Sequence, residues 1–514
     1  MGMGRRRGLV AGVMWVAMMV ASVWRCSAQH RFHLVHAYSH LDGSTAMATH
    51  GRGMSSEYYR TLREHDQRRL RRILPEVVAF PISGDDDTFT TGLYYTRIYL
   101  GTPPQQFYVH VDTGSDVAWV NCVPCTNCKR ASNVALPISI FDPEKSTSKT
   151  SISCTDEECY LASNSKCSFN SMSCPYSTLY GDGSSTAGYL INDVLSFNQV
   201  PSGNSTATSG TARLTFGCGS NQTGTWLTDG LVGFGQAEVS LPSQLSKQNV
   251  SVNIFAHCLQ GDNKGSGTLV IGHIREPGLV YTPIVPKQSH YNVELLNIGV
   301  SGTNVTTPTA FDLSNSGGVI MDSGTTLTYL VQPAYDQFQA KVISASPIPP
   351  SQISDSQGNK RYCFIYSGRI EGYFPNVTLY FAGGAAMLLS PSSYLYKEML
   401  TTGLSAYCFS WLESTSVYGY LSYTIFGDNV LKDQLVVYDN VNNRIGWKNF
   451  DCTKEISVSS TATSMPVTVF PSKAGPPGAF VTTNNAHSNG ASFSNWLITI
   501  ASLPLFSVIW AWGT

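Results

Sequence analysis

Short apolar stretches, broken at close intervals by Gly, Pro, Asn and Ser, dominate the pattern of this chain, and helical periodicity is rare. Leu93–Leu100 reads as a strand, Gly101-Thr102-Pro103-Pro104 as a turn, and Phe107–Asp112 as a second strand running into Thr113-Gly114-Ser115. Leu179–Tyr189 predicts a hairpin whose glycines, Gly181 and Gly183 among them, serve a positive-φ turn. Two apolar-apolar-glycine strands, Thr228–Gly235 and Thr424–Gly427, each precede a helix entry, at Ser240-Leu241-Pro242 and at Asn429-Val430-Leu431-Lys432. Gly318–Met321 is a further apolar strand, ending on Asp322 and a second glycine turn. Gln332-Pro333-Ala334-Tyr335 opens a helix, with proline tolerated in its first turn. Leu435–Asp439 and Arg444–Trp447 read as closing strands. The pattern predicts a mainly β protein of two related lobes.

Outside these lobes the pattern changes. An apolar run from Gly8 to Trp24 follows Arg5-Arg6-Arg7 and precedes Cys26-Ser27-Ala28, which predicts a secretory signal peptide over residues 1–28; a retained signal anchor is the alternative. A helix starting at Ser55 or Ser56 and running towards Ile73, with Tyr59, Leu62 and Leu70 on its apolar positions, stops at Pro75. It belongs to an expected pro-segment, residues 29–88, whose basic run Arg68-Arg69-Leu70-Arg71-Arg72 either covers an acidic cleft or is a disposable spacer. After Cys452 the chain is rich in Ser, Thr, Pro and Asn and reads as a flexible stalk, 453–490. The apolar tail Trp496–Trp512 is followed by no basic residue. With small residues upstream, this predicts a lipid-anchor attachment signal, 491–514, joined at Asn485 or Asn489; a tail anchor and a soluble chain remain the alternatives.

Composition narrows the class. The 514 residues are too many for one core, and 13 % charged residues with a net charge of −1 show no basic face for nucleic acid. The 45 Gly and 25 Pro suit turn-rich β structure. Secretion changes the reading of the 13 cysteines: Cys26 leaves with the leader, and the even remainder suits disulfides. Seven of these, Cys122, Cys125, Cys128, Cys154, Cys159, Cys167 and Cys174, crowd an insertion at 122–174; Cys258 lies further on. With no histidine nearby, bonded sulfur is favoured over zinc for Cys122-x-x-Cys125-x-x-Cys128, and no metal or cofactor is expected. Asn204, Asn221, Asn249, Asn304 and Asn376 head glycosylation sequons.

The chemistry rests on duplication. Asp112-Thr113-Gly114-Ser115 and Asp322-Ser323-Gly324-Thr325 each end an apolar strand, and two carboxylates on matching turns can share one water. This pairing, with the nearly continuous Leu93–Asp116 segment, resembles the pepsin-like aspartic endopeptidases; the Cys-rich insertion is similar to that of the nepenthesin-type plant enzymes. The resemblance runs to Cys452. It implies a bilobal acid-protease fold with lobes at 89–283 and 284–452 and catalysis by Asp112 and Asp322. It also implies crossed hydrogen bonds from Thr113 and Ser323, carboxylate-holding hydroxyls on Ser115 and Thr325, and Gly114 and Gly324 for close approach. Tyr180 and Gly181 would form a flap, with the Trp119 indole donating to the tyrosine. Disulfides Cys218–Cys452 and Cys363–Cys408 are expected by the same resemblance. A peptide or protein substrate, an outer-leaflet tether and a monomeric state complete the expectation. A silent binding or inhibitor protein on the same fold is the rival, as is a structural wall glycoprotein.

Overall fold

The computed structural model describes residues 76–474 except 86–91, 129–135, 138, 163–166, 168–172, 201–207, 225, 262–266, 306–307, 312, 314–317, 355–359, 401–402, 415–422 and 462–463. The expected signal peptide, the pro-segment helix, the anchor signal with Asn485 and Asn489, and the sequon at Asn204 lie outside the described residues. Among the described residues, no helix is long and apolar enough to cross a membrane.

The fold is mainly β and two-lobed. Four strands open it: β1 (Val77–Asp85), β2 (Leu93–Leu100), β3 (Gln105–Asp112) and β4 (Trp119–Thr126). They belong to a fourteen-stranded sheet that runs through the N-terminal lobe and on into the closing strands Gln434–Asp439 and Arg444–Asn449. The join is the antiparallel pairing of Ile254–Leu259 with Gln434–Asp439. The C-terminal lobe adds smaller sheets of five, four and four strands.

Alternation explains β3. Phe107, Val109 and Val111 sink into the main core, so Tyr108, His110 and Asp112 point to the opposite face. Burying each of the two valines contributes about 1.5–3 kcal/mol and fixes the register that presents the acid.

The duplication seen in sequence is also one of topology. β3 pairs in parallel with Gly230–Gly233, placing Asp112 beside Gly233, and Val319–Met321 pairs in parallel with Thr424–Phe426. Short helices follow each partner strand, Leu241–Lys247 and Asp428–Leu431. The helix opened by Gln332 runs to Ala345.

Three expectations need correction. Residues 77–85, expected within the pro-segment, are built into the lobe: β1 is an interior strand between β2 and Gly267–Ile271. Its sequence, VVAFPISGD, does not alternate because Val77, Val78, Phe80 and Ile82 are all buried. The stalk does not begin at 453. Ile456–Ser459 and Val467–Val469 form strands with His273–Ile274, and the chain then bonds to β1, where Ile82 N–H donates to Ser472 and Ala474 N–H to Ser83 Oγ. Ile456, Val458 and Val469 cover a secondary core with Val77 and Val270, which a polar tract can do with only a few apolar residues.

The third concerns Cys218, which bonds Cys122, while Cys452 bonds Cys258. Cys218 lies opposite Val120 in β4, inside the N-terminal lobe, whereas Cys452 follows the closing strand onto the secondary core that holds Cys258. The other bonds are Cys125–Cys128, Cys154–Cys167, Cys159–Cys174 and Cys363–Cys408. The insertion is thus stapled locally and tied to the lobe at its first cysteine.

Candidate active site

Each acid sits at the end of its strand, in a turn that supplies its hydrogen bonds. Asp112 accepts from Gly114 N–H at 2.7 Å through Oδ1 and from the Ser115 hydroxyl through Oδ2. Asp322 repeats the arrangement, with Gly324 N–H at 2.7 Å and the Thr325 hydroxyl at 2.6 Å. Glycine is required by proximity: a Cβ on Gly114 would overlap the Asp322 carboxylate, and one on Gly324 the Asp112 carboxylate. The two acids therefore face each other within hydrogen-bonding reach.

Beneath them the turns are locked together. Ser323 N–H donates to Thr113 Oγ1 at 2.9 Å, and Thr113 N–H to Ser323 Oγ at 3.3 Å. Each hydroxyl in turn donates to a backbone carbonyl of the opposite strand, Thr113 to Met321 at 3.2 Å and Ser323 to Val111 at 3.1 Å. All these groups are buried, where an unmade bond costs about 1–3 kcal/mol.

Burial raises both carboxyls above the usual range. Asp322 is pushed up to about 6 by burial first and by the charge of Asp112 second. Asp112 is raised by burial against the lowering effect of Ser115 and Gly114. Two acids so close share one proton, which divides them into an acid and a base across a broad acidic range.

A lid stands over Asp112. Pro175–Leu179 and Ser185–Val200 form a hairpin, and its turn is closed by Tyr180 N–H to Ser184 at 2.9 Å and by Asp182 accepting from Ser184. Gly183 takes the positive φ of 78°; Gly181 does not, so the turn needs one of the two glycines. The Trp119 indole donates to Tyr180 Oη at 2.7 Å. Burial, and then the charge of Asp112, hold the tyrosine hydroxyl protonated.

Several residues of the site escaped the sequence reading. Trp226 packs edge-on against both Trp119 and Tyr180, at ring distances of 4.8 and 5.3 Å. His290 Nδ1 bonds the Gly114 carbonyl at 2.9 Å, and Gln236 donates to the His290 carbonyl. Asp116 accepts from Ala237 N–H at 2.8 Å, and burial raises its carboxyl. Lone residues in loops carry no periodic signal. His110 did carry one, two positions before Asp112 on the same face of β3.

The sequons at Asn221, Asn249, Asn304 and Asn376 are all exposed. Cys122 is bonded to Cys218, and Cys125 and Cys128 are bonded to each other.

Comparison with known proteins agrees with this geometry. Residues 94–273 match the family model described as xylanase inhibitor N-terminal, and 290–449 its C-terminal counterpart. Aspartic proteinase 36 of Arabidopsis thaliana is 35 % identical over 77 % of this chain and 82 % of its own length. Aspartic proteinase nepenthesin-1 of Nepenthes gracilis is 31 % identical over 76 % and 85 %. Among solved structures, basic 7S globulin from soybean superposes with a TM-score of 0.55 at 22 % identity, covering 73 % of this chain and 96 % of that one. Conglutin gamma from lupine gives 0.56 at 21 %, covering 74 % and 96 %. With its opposed, cross-bonded acid turns set in two related β lobes, the chain belongs to the pepsin-like aspartic proteases, in their nepenthesin-type plant branch.

Proposed function

We propose that the protein is an endopeptidase that hydrolyses peptide bonds in acid, using a water held between Asp112 and Asp322. The observation that carries this reading is the mutual placement of the two carboxylates, each hydrogen-bonded by its own turn and each packed against the other's glycine. The ionised acid takes a proton from the water, which attacks the scissile carbonyl. The protonated acid hydrogen-bonds the carbonyl oxygen and then protonates the departing nitrogen. No covalent intermediate forms. A peptide lies extended in the cleft below Tyr180, bonded along its backbone. Activity is lost as pH rises through about 6, where the shared proton leaves.

The setting belongs to the same proposal. A leader at 1–28 sends the chain into the secretory route, and a lipid joined at Asn485 or Asn489 holds a monomer on the outer face of the plasma membrane. Six disulfides and four exposed sequons support that route.

A second reading, a silent binding protein at the cell surface, is favoured by the inhibitor description of the matching family model. It has no use for the complete hydrogen-bond set on both acids. The two readings part on one experiment: cleavage of a denatured protein between pH 3 and 6 by protein freed of residues before Glu76. Wild type is expected to cleave, a statine-type peptide to block it, and Asp112→Asn to lower kcat/KM by about 10³-fold. Wild type that binds the statine peptide without cleaving would establish the silent reading.

A further inference from the structure

The two crossed hydroxyls beneath the acids are not equivalent. Thr113 Oγ1 donates to the Met321 carbonyl at 3.2 Å and accepts from Ser323 N–H at 2.9 Å. A hydroxyl has one proton and two acceptor positions, so one position on Thr113 is left. Tyr438 fills it, with Oη 3.5 Å from Thr113 Oγ1. On the other side of Tyr438 Oη lies His257 Nε2, at 3.3 Å. Ser323 Oγ, the counterpart hydroxyl, donates to Val111 and accepts from Thr113 N–H, with no third partner among the described residues. Tyr438 and His257 are wholly buried and lie on Gln434–Asp439 and Ile254–Leu259, the strands that join the lobes. Phe255, the direct partner of Tyr438, stacks flat on it at 4.6 Å, and His257 follows two residues later on the same face.

These contacts have one consistent direction. Thr113 has committed its proton to Met321, so Tyr438 donates to Thr113 and in turn accepts from His257. Nε2 then carries the imidazole proton, and Nδ1, which has no partner, is left as a bare acceptor, a less costly orphan than a buried N–H. Burial lowers the ring to about 3, so it stays neutral through the acid range. Burial also holds the Tyr438 hydroxyl protonated against the lowering effect of Thr113, and the charge of Asp322 adds to this. We propose that His257 and Tyr438 are positioning residues of the acid pair: hydrogen bonds running from His257 to Tyr438 to Thr113 to Met321 tie the turn that holds Asp112 to the strands joining the lobes. The inference rests on the endopeptidase reading and adds residues that touch neither the water nor the peptide. Without the Tyr438 proton, Thr113 Oγ1 keeps a buried lone pair unpaired and is held at two points in place of three. A small displacement of Asp112 from the shared water costs turnover more than it costs grip on the peptide.

The test measures peptide cleavage at pH 5 and affinity for the statine-type peptide, in the same protein as the cleavage assay. Tyr438→Phe keeps the ring on Phe255 and removes the hydroxyl; kcat is expected to fall about fivefold to tenfold with KM unchanged. His257→Leu is expected to lose about as much, and His257→Gln, whose amide N–H has similar reach, to recover most of it. The double variant Tyr438→Phe/His257→Leu is expected to be no worse than Tyr438→Phe, because His257 acts through the hydroxyl. A purely structural role predicts instead lowered melting temperatures and losses that multiply. Full kcat in folded Tyr438→Phe overturns the inference, as do multiplying losses in the double variant or a His257→Gln no better than His257→Leu. Should Tyr438→Phe fail to fold, the two His257 variants decide alone. Wild type that binds the statine-type peptide but cleaves nothing removes the endopeptidase reading, and the same ratios, read as affinities, then decide the inference. Wild type that does neither overturns both.

Discussion

The two acid turns are near copies, and what surrounds them is not. Asp112 and Asp322 each receive a glycine amide on Oδ1 and a hydroxyl on Oδ2, and each turn follows a strand paired in parallel with an apolar neighbour. Around Asp112, however, stand Tyr180, Trp119, Trp226 and His110; the C-terminal lobe holds no hairpin of that kind over Asp322 among the described residues. Proton sharing needs two equivalent carboxylates, so the turns have kept their likeness. Holding a peptide needs one lid, and a second would close the cleft.

Breaking the likeness should have the largest effect. Gly324→Ala drives a methyl group into the Asp112 carboxylate and Gly114→Ala one into Asp322. Each is expected to cost about 10²-fold in kcat/KM, by displacing the opposite acid from the shared water. Equal losses from both support the symmetric dyad; a loss from one alone breaks it.

Removing the asymmetric lid should cost less. Tyr180→Phe deletes the acceptor of the Trp119 bond while keeping the ring against Trp226. An increase in KM of about tenfold is expected, with kcat reduced less, since one hydrogen bond is worth about 1 kcal/mol. A larger fall in kcat than rise in KM would place the tyrosine in the chemistry instead of the grip.

Within the N-terminal lobe, two buried titrating groups act on stability in opposite senses. His257, in the N-terminal lobe, contacts Tyr438 at 3.3 Å, and burial lowers its pKa to about 3. The unfolded chain therefore binds a proton that the folded one refuses, and stability falls as pH drops from about 6.5 towards 3. Asp229 works in the opposite sense. Burial pushes its carboxyl up to about 6 although it accepts from Tyr108 and Ser139 N–H, so its contribution falls as pH rises from about 4 to 6. In thermal melts, His257→Gln is expected to flatten the acid-side loss of Tm between pH 6.5 and 4. An unaltered slope would move acid sensitivity to other groups.

The smallest effect should come from completing the likeness. Ser323→Thr makes the second turn match the first at its crossed hydroxyl. With Ser323 Oγ already bonded to Val111 and Thr113, activity is expected to stay within about twofold, provided the added methyl finds room in the buried seam. A loss of tenfold would show that the seam has no such room.

The turns were legible in the chain because each follows an uninterrupted apolar strand and because each has a partner strand ending in glycine. Two occurrences of a common motif, each with its echo at the right place, say more than either alone. The flap was legible for a related reason: glycines between two alternating runs make a hairpin. Disulfide pairing was not, since Cys218 and Cys452 are each compatible with many partners until the strands that carry them are placed. The ends of the lobes were also hidden. Val77–Asp85 lies behind a basic helix-like stretch and ahead of a run of aspartates, so local composition pointed to a linker; only its pairing with β2 and Gly267–Ile271 reveals an inner strand. Trp226 could not be distinguished from any loop tryptophan until Trp119 and Tyr180 were brought to it.

The position of β1 bears on how far the chain can be shortened from its amino-terminal side. It is hydrogen-bonded along both flanks and then clasped by Ser472 and Ala474 from the far end of the chain. Peeling it away would bare two long sheet edges, an invitation to aggregate. Removal of residues beyond Glu76 is therefore expected to expose those edges, whereas a chain beginning at Glu76 keeps β1 under the strap formed by Ser472 and Ala474.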